Sequence, residues 1–343
     1  MIEIRQIHKQ QEEEWHSFLL NQSFTLFTQS GANGLFYESM GESYWIFGVY
    51  DNDTLVGGSL ITTVHAKRGN FLLLPYGPVF ADYYNPAYID RFFTFIKKFA
   101  KQEGYHFIRV SPFIDDTARH REIFHLQGYR PSPIHILAEH TWLLDISASE
   151  KELLSRMKKN HRNLISRCQR EGVVVTKYQD IAALNRLNAM HDVVAKRHDF
   201  ARFSKTFIEK EFIALTGKGN VVIFEATLPN GEVDASAIIY FFGSMAAYRH
   251  SASLNKDKRL PSSYLIQWEA IQEAKKRGKV WYNFWGIAPE GASTDHPFAG
   301  ITHFKKGFGG EQKDLLPAHD VAISKRYYIT WLIESLRRIK RGF

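Results

Sequence analysis

Apolar and polar residues alternate in two separate segments of the chain that resemble each other. Residues 44–61 read YWIFGVYDNDTLVGGSLI, and residues 221–238 read VVIFEATLPNGEVDASAI. In each segment the alternation is interrupted by a short run of Asp, Asn, Pro or Gly, residues that are typical of turns. Both segments are therefore predicted to form two strands joined by a turn. When they are aligned without gaps, Ile46-Phe47 coincides with Ile223-Phe224.

A second pair of similar segments follows the first pair in the same order. Residues 92–112 and 264–286 each begin with apolar residues at helical spacing, reach a glycine (Gly104 or Gly278) and continue into an apolar strand. Chance similarity between common elements is the alternative explanation. Two matches in one order favour a tandem repeat of one α/β unit.

The order of elements in each repeat predicts the fold class. Helices, antiparallel strands, a long helix and a further strand resemble the N-acetyltransferase-type (GNAT) fold, so we expect an α/β (α+β) protein with that fold present twice. We expect two packed domains with a cleft between them, a common place for a ligand. The predicted boundaries are 1–146 for the first domain, 147–325 for the second and 326–343 for a C-terminal basic amphipathic helix.

A strongly basic helix is predicted over residues 150–171. Its apolar residues recur at helical spacing and form one buried face, while Lys158, Lys159 and Arg162 belong to a set of cations around the remainder. Few acidic residues lie among them. A solvated helix face and an anion-binding face, for RNA or phosphate, are equally compatible with this pattern.

The C-terminal helix carries aromatic and basic residues together. Tyr328, Trp331, Leu332, Ser335 and Ile339 fall along one helical face, and basic residues cluster towards the end of the helix. One hypothesis is a helix docked on the second domain with its basic end in water. The other is a helix that lies on an anionic membrane surface.

Composition and charge narrow the class of protein. The chain has 343 residues, 44% of them apolar, and a net charge of +8, which favours an anionic partner. The single cysteine, Cys168, excludes an intramolecular disulfide and fits a reducing compartment. The N-terminus has no signal-peptide pattern and no apolar stretch is long enough to span a bilayer. We therefore expect a cytoplasmic protein.

Residues 281–311 are the most informative part of the sequence. They read WYNFWGIAPEGASTDHPFAGITHFKKGFGGE, a strand that runs into a polar loop and then into a lysine pair followed by glycines. Glycines allow the backbone to approach a ligand closely, and a neighbouring lysine can meet a phosphate or a developing oxyanion. Phosphate-loop, dinucleotide-binding and metal-binding motifs are not found, so no cofactor and no metal are expected.

The whole pattern resembles the Fem family of non-ribosomal peptidyl transferases. The family's signature is a strand ending in Gly-Ile, a loop, Gly-Ile/Leu-x-x-Phe-Lys and x-x-Phe-Gly, which this chain matches from Gly286 to Gly309. Gly77-Pro78-Val79 resembles the Gly-Pro-Val of the family's first domain. The run from Met157 to Ile165 resembles the basic helix that opens the second domain. No room exists between Lys177 and Val221 for the family's long helical arm, so the chain resembles the compact members.

This resemblance implies transfer of an aminoacyl group from aminoacyl-tRNA to an amine of a peptidoglycan precursor peptide. The implied partners are aminoacyl-tRNA as co-substrate and a UDP-linked or lipid-linked precursor, with a possible peripheral contact at the inner membrane surface. A monomer is expected. Because the aminoacyl ester of the tRNA is already activated, this reaction requires no nucleophilic side chain.

The resemblance also implies site residues. Lys305 fills the Phe-Lys position and is expected to be partly exposed, as a catalytic residue or a contact to the tRNA end; a surface lysine is the alternative. Phe304 would shape the site beside it. Tyr248 stands where the family has a substrate-facing tyrosine on a central strand, and Lys306 is a further substrate-binding candidate.

Other candidates concern the acceptor and the tRNA. Arg197 or Arg202 would meet an acceptor phosphate, and the sequence does not decide between them. Members of the family carry a lysine soon after a Gln-Ser pair in the first domain, whereas here Tyr37 or Glu38 stands near that place. The basic residues Lys158, Lys159 and Arg162 are candidates for binding RNA.

Two rival functions remain open. An N-acyltransferase that uses acyl-CoA would share the fold, although the loop that binds its pyrophosphate is not recognisable in either half. A non-catalytic protein that binds RNA or a membrane would use only the basic surface. Loss of Lys305 would leave anion binding nearly intact in that case.

Overall fold

A computed structural model describes residues 1–66, 69–198, 202–293 and 296–341. The strands are β1 (Ile2–Gln6), β2 (Tyr44–Asp51), β3 (Thr54–Ala66), β4 (Gly69–Tyr76), β5 (Val79–Phe80), β6 (Phe107–Pro112), β7 (Arg130–Pro131), β8 (His140–Asp145), β9 (Val174–Tyr178), β10 (Val221–Thr227), β11 (Val233–Phe242), β12 (Met245–Ser253), β13 (Trp281–Gly286), β14 (Glu311–Asp314) and β15 (His319–Ala322).

Helices separate and flank these strands. They are α1 (Glu12–Leu20), α2 (Gly31–Ser39), α3 (Pro86–Gln102), α4 (Ala118–Leu126), α5 (Glu150–Arg156), α6 (Lys159–Arg170), α7 (Ile181–His198), α8 (Lys205–Leu215), α9 (Ser263–Lys276), α10 (Ala299–Lys306) and α11 (Tyr327–Arg341). None of the described helices is both long enough and apolar enough to cross a lipid bilayer.

The chain divides into two units. The first unit contains residues 1–139 and 314–343, and the second contains residues 140–313. The sheet of the first unit has the order β1-β2-β3-β4-β6-β15-β7, with β5 paired to β3. The sheet of the second unit has the order β14-β8-β13-β12-β11-β10-β9.

Local sequence explains the central helix of each unit. Asn85 caps α3 by accepting a hydrogen bond from the Ala87 amide, and Pro86 occupies the first turn, where its missing N–H is no loss. Gly104 adopts a positive φ of 78° just after the helix and ends it. Apolar residues of α3 and α9 are buried against their sheets and form part of the core of each unit.

The predicted duplication is confirmed by the topology. The hairpin β2–β3 occupies the second and third positions of the first sheet counted from β1, and β10–β11 occupies the second and third positions of the second sheet counted from β9. Both hairpins carry an irregularity close to the turn, between Val49 and Tyr50 and between Ala226 and Thr227. The helix–strand pairs α3–β6 and α9–β13 also correspond. The tandem repeat therefore arises from the segments in which the sequence pattern predicts it.

The last strands of the two repeats are exchanged. β8 follows β7 in the chain but pairs with β13 in the second sheet, and β15 follows β14 but lies between β6 and β7 in the first sheet. The contacts therefore divide the chain after residues 139 and 313, whereas the sequence-based boundaries lie after residues 146 and 325. The C-terminal helix belongs to the first unit and not, as one hypothesis had it, to a docking place on the second. Residues 342 and 343 of its predicted range lie outside the described residues.

Candidate active site

The second unit contains a parallel strand pair that opens partway along its length. β12 pairs with β13 only from Met245 to Ala247 and from Trp281 to Asn283. The corresponding pair in the first unit, β4 and β6, stays in register from Phe71 to Tyr76. The carboxyl ends of parallel strands are where α/β sheets bind ligands. The gap between β12 and β13 is therefore the first candidate for a site.

The opening is held by a distorted end of β13. Trp285 has a φ of 67°, which is unusual for a residue with a side chain. Its amide donates to Asn283 Oδ1 at 2.7 Å, and Thr141 Oγ1 donates to the same oxygen at 2.6 Å. The buried side chain of Asn283 therefore accepts hydrogen bonds from a backbone amide of its own strand and a hydroxyl of β8, which holds the irregular end of β13 in place.

Lys305 lies at this opening. Its Nζ donates to the carbonyl oxygen of Gly286, the last residue of β13, at 2.6 Å. The same Nζ lies 5.9 Å from the ring centroid of Tyr248, the first β12 residue beyond the paired segment. The amine thus contacts both sides of the gap, and the motif-based choice of Lys305 and Tyr248 is consistent with this geometry.

The expectation that Lys305 is partly exposed is wrong. The residue is only 4% exposed, and no described carboxylate lies within ion-pairing distance of its amine. Burial without a counter-charge disfavours the ammonium form and lowers the pKa of Lys305 from 10.5 to about 7. A lysine in this state can exchange a proton near neutral pH.

Tyr248 and Phe304 form the walls beside the lysine. Tyr248 is buried, its hydroxyl is hydrogen-bonded to Ser251 Oγ, and burial raises its pKa to about 12. Phe304 is half-buried and packs edge-on against Tyr264, with ring centroids 4.9 Å apart. Tyr248 is therefore a neutral phenol at physiological pH, and Phe304 is part of the packing that holds α10.

His161, which the sequence analysis did not select as a site residue, supports α10. His161 on α6 is buried, and its Nε2 lies 2.9 Å from the carbonyl oxygen of Phe304. Burial lowers the pKa of His161, so a neutral imidazole donates this hydrogen bond. The ring also packs against Tyr264 and Phe308. His161 therefore positions the turn of helix that carries Lys305.

The glycines after Lys305 serve the protein's own packing. A Cβ placed on Gly307 would lie 1.9 Å from His161 Cε1, and one on Gly310 would lie 2.1 Å from the carbonyl oxygen of Leu143. The Gly307 carbonyl accepts from the Lys158 amide, and the Gly309 carbonyl accepts from Trp142 Nε1. The sequence interpretation assigned these glycines to the approach of a ligand. In the structure they allow α6 and β8 to approach closely.

A buried ionic cluster joins α8 to β12. Glu211 of α8 is 2% exposed and contacts Arg249 at 3.1 Å and His250 Nε2 at 2.8 Å. Burial alone would raise the pKa of Glu211, but Arg249 and the His250 hydrogen bond lower it to about 2. The Arg249 guanidinium carbon lies 4.7 Å from the ring centroid of Trp285. The cluster therefore fixes a cation next to the distorted end of β13.

The predicted substrate-binding residues are dispersed. Lys306 Nζ lies 5.2 Å from the Trp142 ring centroid. Arg202 is paired with Asp192 at 2.7 Å and with Asn188 Oδ1 at 3.0 Å, whereas Arg197 is exposed near the end of α7. Tyr37 lies on α2 in the first unit and is half-buried. Their contacts with an acceptor stay predictions.

The basic helix begins with two exposed cations and one that has a structural partner. Lys158 and Lys159 are exposed at the start of α6. Arg162 is half-buried and donates from Nη1 to the carbonyl oxygens of Met157 and Ser155, where α5 ends. Arg162 therefore satisfies the free carbonyls at that helix terminus, and the exposed pair is the better candidate for contacting an anion.

Among the described residues we find no cluster of His, Cys, Asp or Glu side chains arranged to hold a metal ion.

A curated relative matches part of the chain. Aminoacyltransferase FemA of Staphylococcus aureus is 30% identical over 104 residues, which is 30% of this chain and 22% of FemA. The chain therefore matches less than a quarter of the length of that relative.

Solved structures match over nearly the whole chain. The crystal structure of FemX superposes with a TM-score of 0.85 at 16% identity, covering 97% of this chain and 100% of FemX. A tandem GNAT protein from the clavulanic acid biosynthesis pathway superposes with a TM-score of 0.56 at 8% identity, covering 94% of this chain and 99% of that one. At these identities the likeness establishes the fold, which is a tandem N-acetyltransferase-like α/β fold.

A family model matches residues 10–135 and 223–334, and the second range contains Tyr248, the distorted end of β13 and Lys305. These two ranges make up more than half of the chain, and each falls mostly within one of the two repeats. The chain belongs to the FemAB family.

Proposed function

We propose that this protein transfers an aminoacyl group from aminoacyl-tRNA to an amine of a peptidoglycan precursor peptide. The observation that carries the proposal is Lys305, a buried amine with no described counter-ion, held at the opening between β12 and β13. Buried groups with strongly perturbed pKa values in such openings are typical of catalytic sites. The family match and the FemA name supply the class of reaction.

The reaction requires two proton transfers, one away from the attacking amine and one to the leaving ribose oxygen. The acceptor amine attacks the ester carbonyl carbon, an N–C bond forms, and the carbonyl oxygen becomes an oxyanion. The attacking nitrogen must then lose a proton, and the ribose oxygen must gain one as the C–O bond breaks. With a pKa of about 7, neutral Lys305 can accept the first proton and return it to the leaving oxygen.

The position of the amine suits both steps. Gly286 accepts one of its hydrogen bonds at 2.6 Å, and the ammonium form retains two further N–H donors for the oxyanion or the leaving oxygen. The site is buried, so the charge is poorly screened and stabilises the oxyanion more strongly than it would in water.

The proposed donor and acceptor are both anionic, and the second unit carries cations that could contact each of them. Lys158 and Lys159 are exposed on the second unit and would contact the phosphates of tRNA. Arg249, held over Trp285 by Glu211, would contact a carboxylate or phosphate of the acceptor. These contacts predict that donor binding weakens as the salt concentration rises. Because charged tRNA is a cytoplasmic substrate, the proposal places the protein in the cytoplasm.

The experiment supplies the protein with a mixture of charged tRNAs and, in separate reactions, a UDP-linked and a lipid-linked precursor. Mass spectrometry of the precursor then shows whether one amino-acid residue has been added. A parallel reaction replaces the charged tRNAs with acetyl-CoA. Addition of an amino acid that depends on tRNA supports the proposal, and addition of an acetyl group in its place contradicts it.

A matched pair of variants assigns the reaction to the site. Lys305→Met removes the amine while keeping an apolar chain of similar length in the buried position. Lys276→Met makes the same change at an exposed lysine of α9 in the same unit. We expect loss of transfer only for Lys305→Met, because Lys276 has no place in the proposed chemistry.

A further inference from the structure

The C-terminal helix α11 is attached to the first unit by its polar side. Tyr327, Thr330 and Glu334 are its buried residues. Glu334 Oε2 pairs with Arg109 Nη2 at 2.7 Å, and Arg109 also pairs with Asp320 of β15 at 2.7 Å. Arg109 and Asp320 are almost inaccessible to solvent. An ion-paired network, with the Tyr327 ring against the sheet, therefore holds this helix in place.

The opposite side of the helix is apolar and exposed. We call it the outer face of α11, and it consists of Tyr328, Ile329, Leu332, Leu336 and Ile339. Their exposed fractions are 48%, 61%, 54%, 59% and 78%. At 3.6 residues per turn, these positions lie diametrically opposite the buried ones. A surface helix of a globular protein normally buries its apolar side, so this inverted arrangement indicates a face that binds something else.

Cations flank the outer face on both sides. By helical spacing Lys340 lies directly beside the outer face, whereas Arg337 and Arg338 lie between that face and the buried side, one on each side of the helix. All three are exposed. Arg130 of β7 adds a further exposed cation, with its guanidinium carbon 5.6 Å from the Tyr328 ring centroid. The one acidic residue of the helix, Glu334, faces inward and is paired. An apolar face with cations on either side of it is complementary to a surface that has an apolar interior and anionic groups at its boundary.

We propose that α11 docks the protein on the surface of an anionic lipid bilayer. The outer face enters the boundary between headgroups and acyl chains, and the flanking cations contact lipid phosphates. A second copy of the chain is disfavoured as the occupant, because two outer faces in contact would bring cations of both copies close together and these would repel. The helix lies in the plane of the bilayer surface and does not cross it.

The consequence for catalysis rests on the proposed function. A protein held on the bilayer meets a lipid-linked acceptor in two dimensions, whereas a nucleotide-linked acceptor reaches it from solution. The outer face is therefore expected to matter for the first acceptor class and not for the second.

The binding experiment requires no substrate. The full chain is co-sedimented with vesicles of equal parts phosphatidylglycerol and phosphatidylethanolamine, and separately with vesicles of phosphatidylcholine alone, at low and high salt. The variant Leu332→Gln/Leu336→Gln removes two large side chains from the outer face without touching the buried side. Its matched control is Leu126→Gln, a 74% exposed leucine of α4 in the same unit.

We expect wild type and Leu126→Gln to bind the anionic vesicles, and the double variant to bind at least about tenfold more weakly. Binding should weaken with salt and be weak on phosphatidylcholine. Equal binding by wild type and the double variant, or no binding to either vesicle, overturns the proposal. If wild type does not bind vesicles but is a dimer in gel filtration, and the double variant is a monomer, the proposal is also overturned and the face is assigned to a second copy.

Activity separates this inference from the proposed function. Lys305→Met should bind vesicles like wild type while failing to transfer. The double variant should transfer normally to a UDP-linked acceptor and at least about tenfold more slowly to a lipid-linked acceptor in vesicles. If wild type binds vesicles but transfers nothing, the docking surface is supported and the proposed function is contradicted.

Discussion

Replacing Gly307 with alanine tests how α10 is positioned. Gly307 has φ −72° and ψ −15°, which alanine adopts readily, so backbone strain does not contribute. The new methyl carbon would instead lie 1.9 Å from His161 Cε1 and 2.0 Å from Nε2. His161 is 1% exposed and is enclosed by aromatic rings, so the ring cannot move without displacing its neighbours.

The size of the effect follows from this contact. Overpacking a rigid core costs about 1–3 kcal/mol, and losing the hydrogen bond from His161 to the Phe304 carbonyl adds about 1 kcal/mol. Reduced flexibility of the unfolded chain offsets about 0.4–1 kcal/mol. We therefore expect Gly307→Ala to lower the free energy of unfolding by about 1–4 kcal/mol.

Urea denaturation with a matched control measures this effect. Gly300→Ala makes the same substitution within α10, where a Cβ meets nothing within 4 Å, so it should raise stability by about 0.5–1 kcal/mol. In a His161→Ala background the ring is gone, and Gly307→Ala should then stabilise the protein slightly, by up to about 1 kcal/mol. Equal effects of the two glycine substitutions, or additivity of Gly307→Ala with His161→Ala, would refute the packing argument.

Two further predictions concern buried charges. Because the pKa of Lys305 falls from 10.5 to about 7 on folding, the native state binds fewer protons, and wild-type stability should rise between these pH values by on the order of 4 kcal/mol. Urea titrations from pH 6 to pH 10 should show this rise in wild type, and its presence in Lys305→Met would contradict the assignment. The pKa of Glu211 falls from 4.5 to about 2, so its stabilisation is complete above pH 4.5 and lost as the pH falls towards 2. Glu211→Gln should cost about 3–5 kcal/mol at pH 7, because it leaves Arg249 without its carboxylate, and a loss below about 1 kcal/mol would show that the cluster is not coupled.

The repeated architecture could be predicted from the sequence because it depends on local periodicity. Alternation over 44–61 and 221–238 and helical spacing before Gly104 and Gly278 are properties of contiguous residues. The exchange of β8 and β15 between the sheets could not be predicted in this way. Both strands are short, and their partners are set by distant parts of the chain.

The site was predicted in part. A motif located Lys305, but its burial depends on how α10 packs against β13, which the motif does not encode. His161 lies four and seven residues before Ile165 and Cys168, a helical spacing that places it on the buried face. The many lysines and arginines of this helix make its composition look like that of an anion-binding surface and mask this signal. Glu211 and Arg249 lie 38 residues apart in sequence, and no local pattern connects them.

The C-terminal helix shows a different limit of sequence patterns. Its amphipathicity was visible, but amphipathicity alone does not say which face is docked. Arg109, which is 225 residues away from Glu334 in sequence, makes the polar side the inner one by pairing with Glu334 and Asp320. The apolar residues that a docked helix would bury are consequently the exposed ones.

Transfer by wild type and Lys305→Met tests the central claim most directly. Both proteins, with Lys276→Met as control, are given charged tRNAs and each precursor, and the added mass is followed over time while urea denaturation confirms that each is folded. We predict tRNA-dependent addition of one amino acid by wild type and Lys276→Met, and a rate at least about a hundredfold lower for Lys305→Met. Undiminished transfer by folded Lys305→Met would contradict the assignment of the reaction to this buried amine.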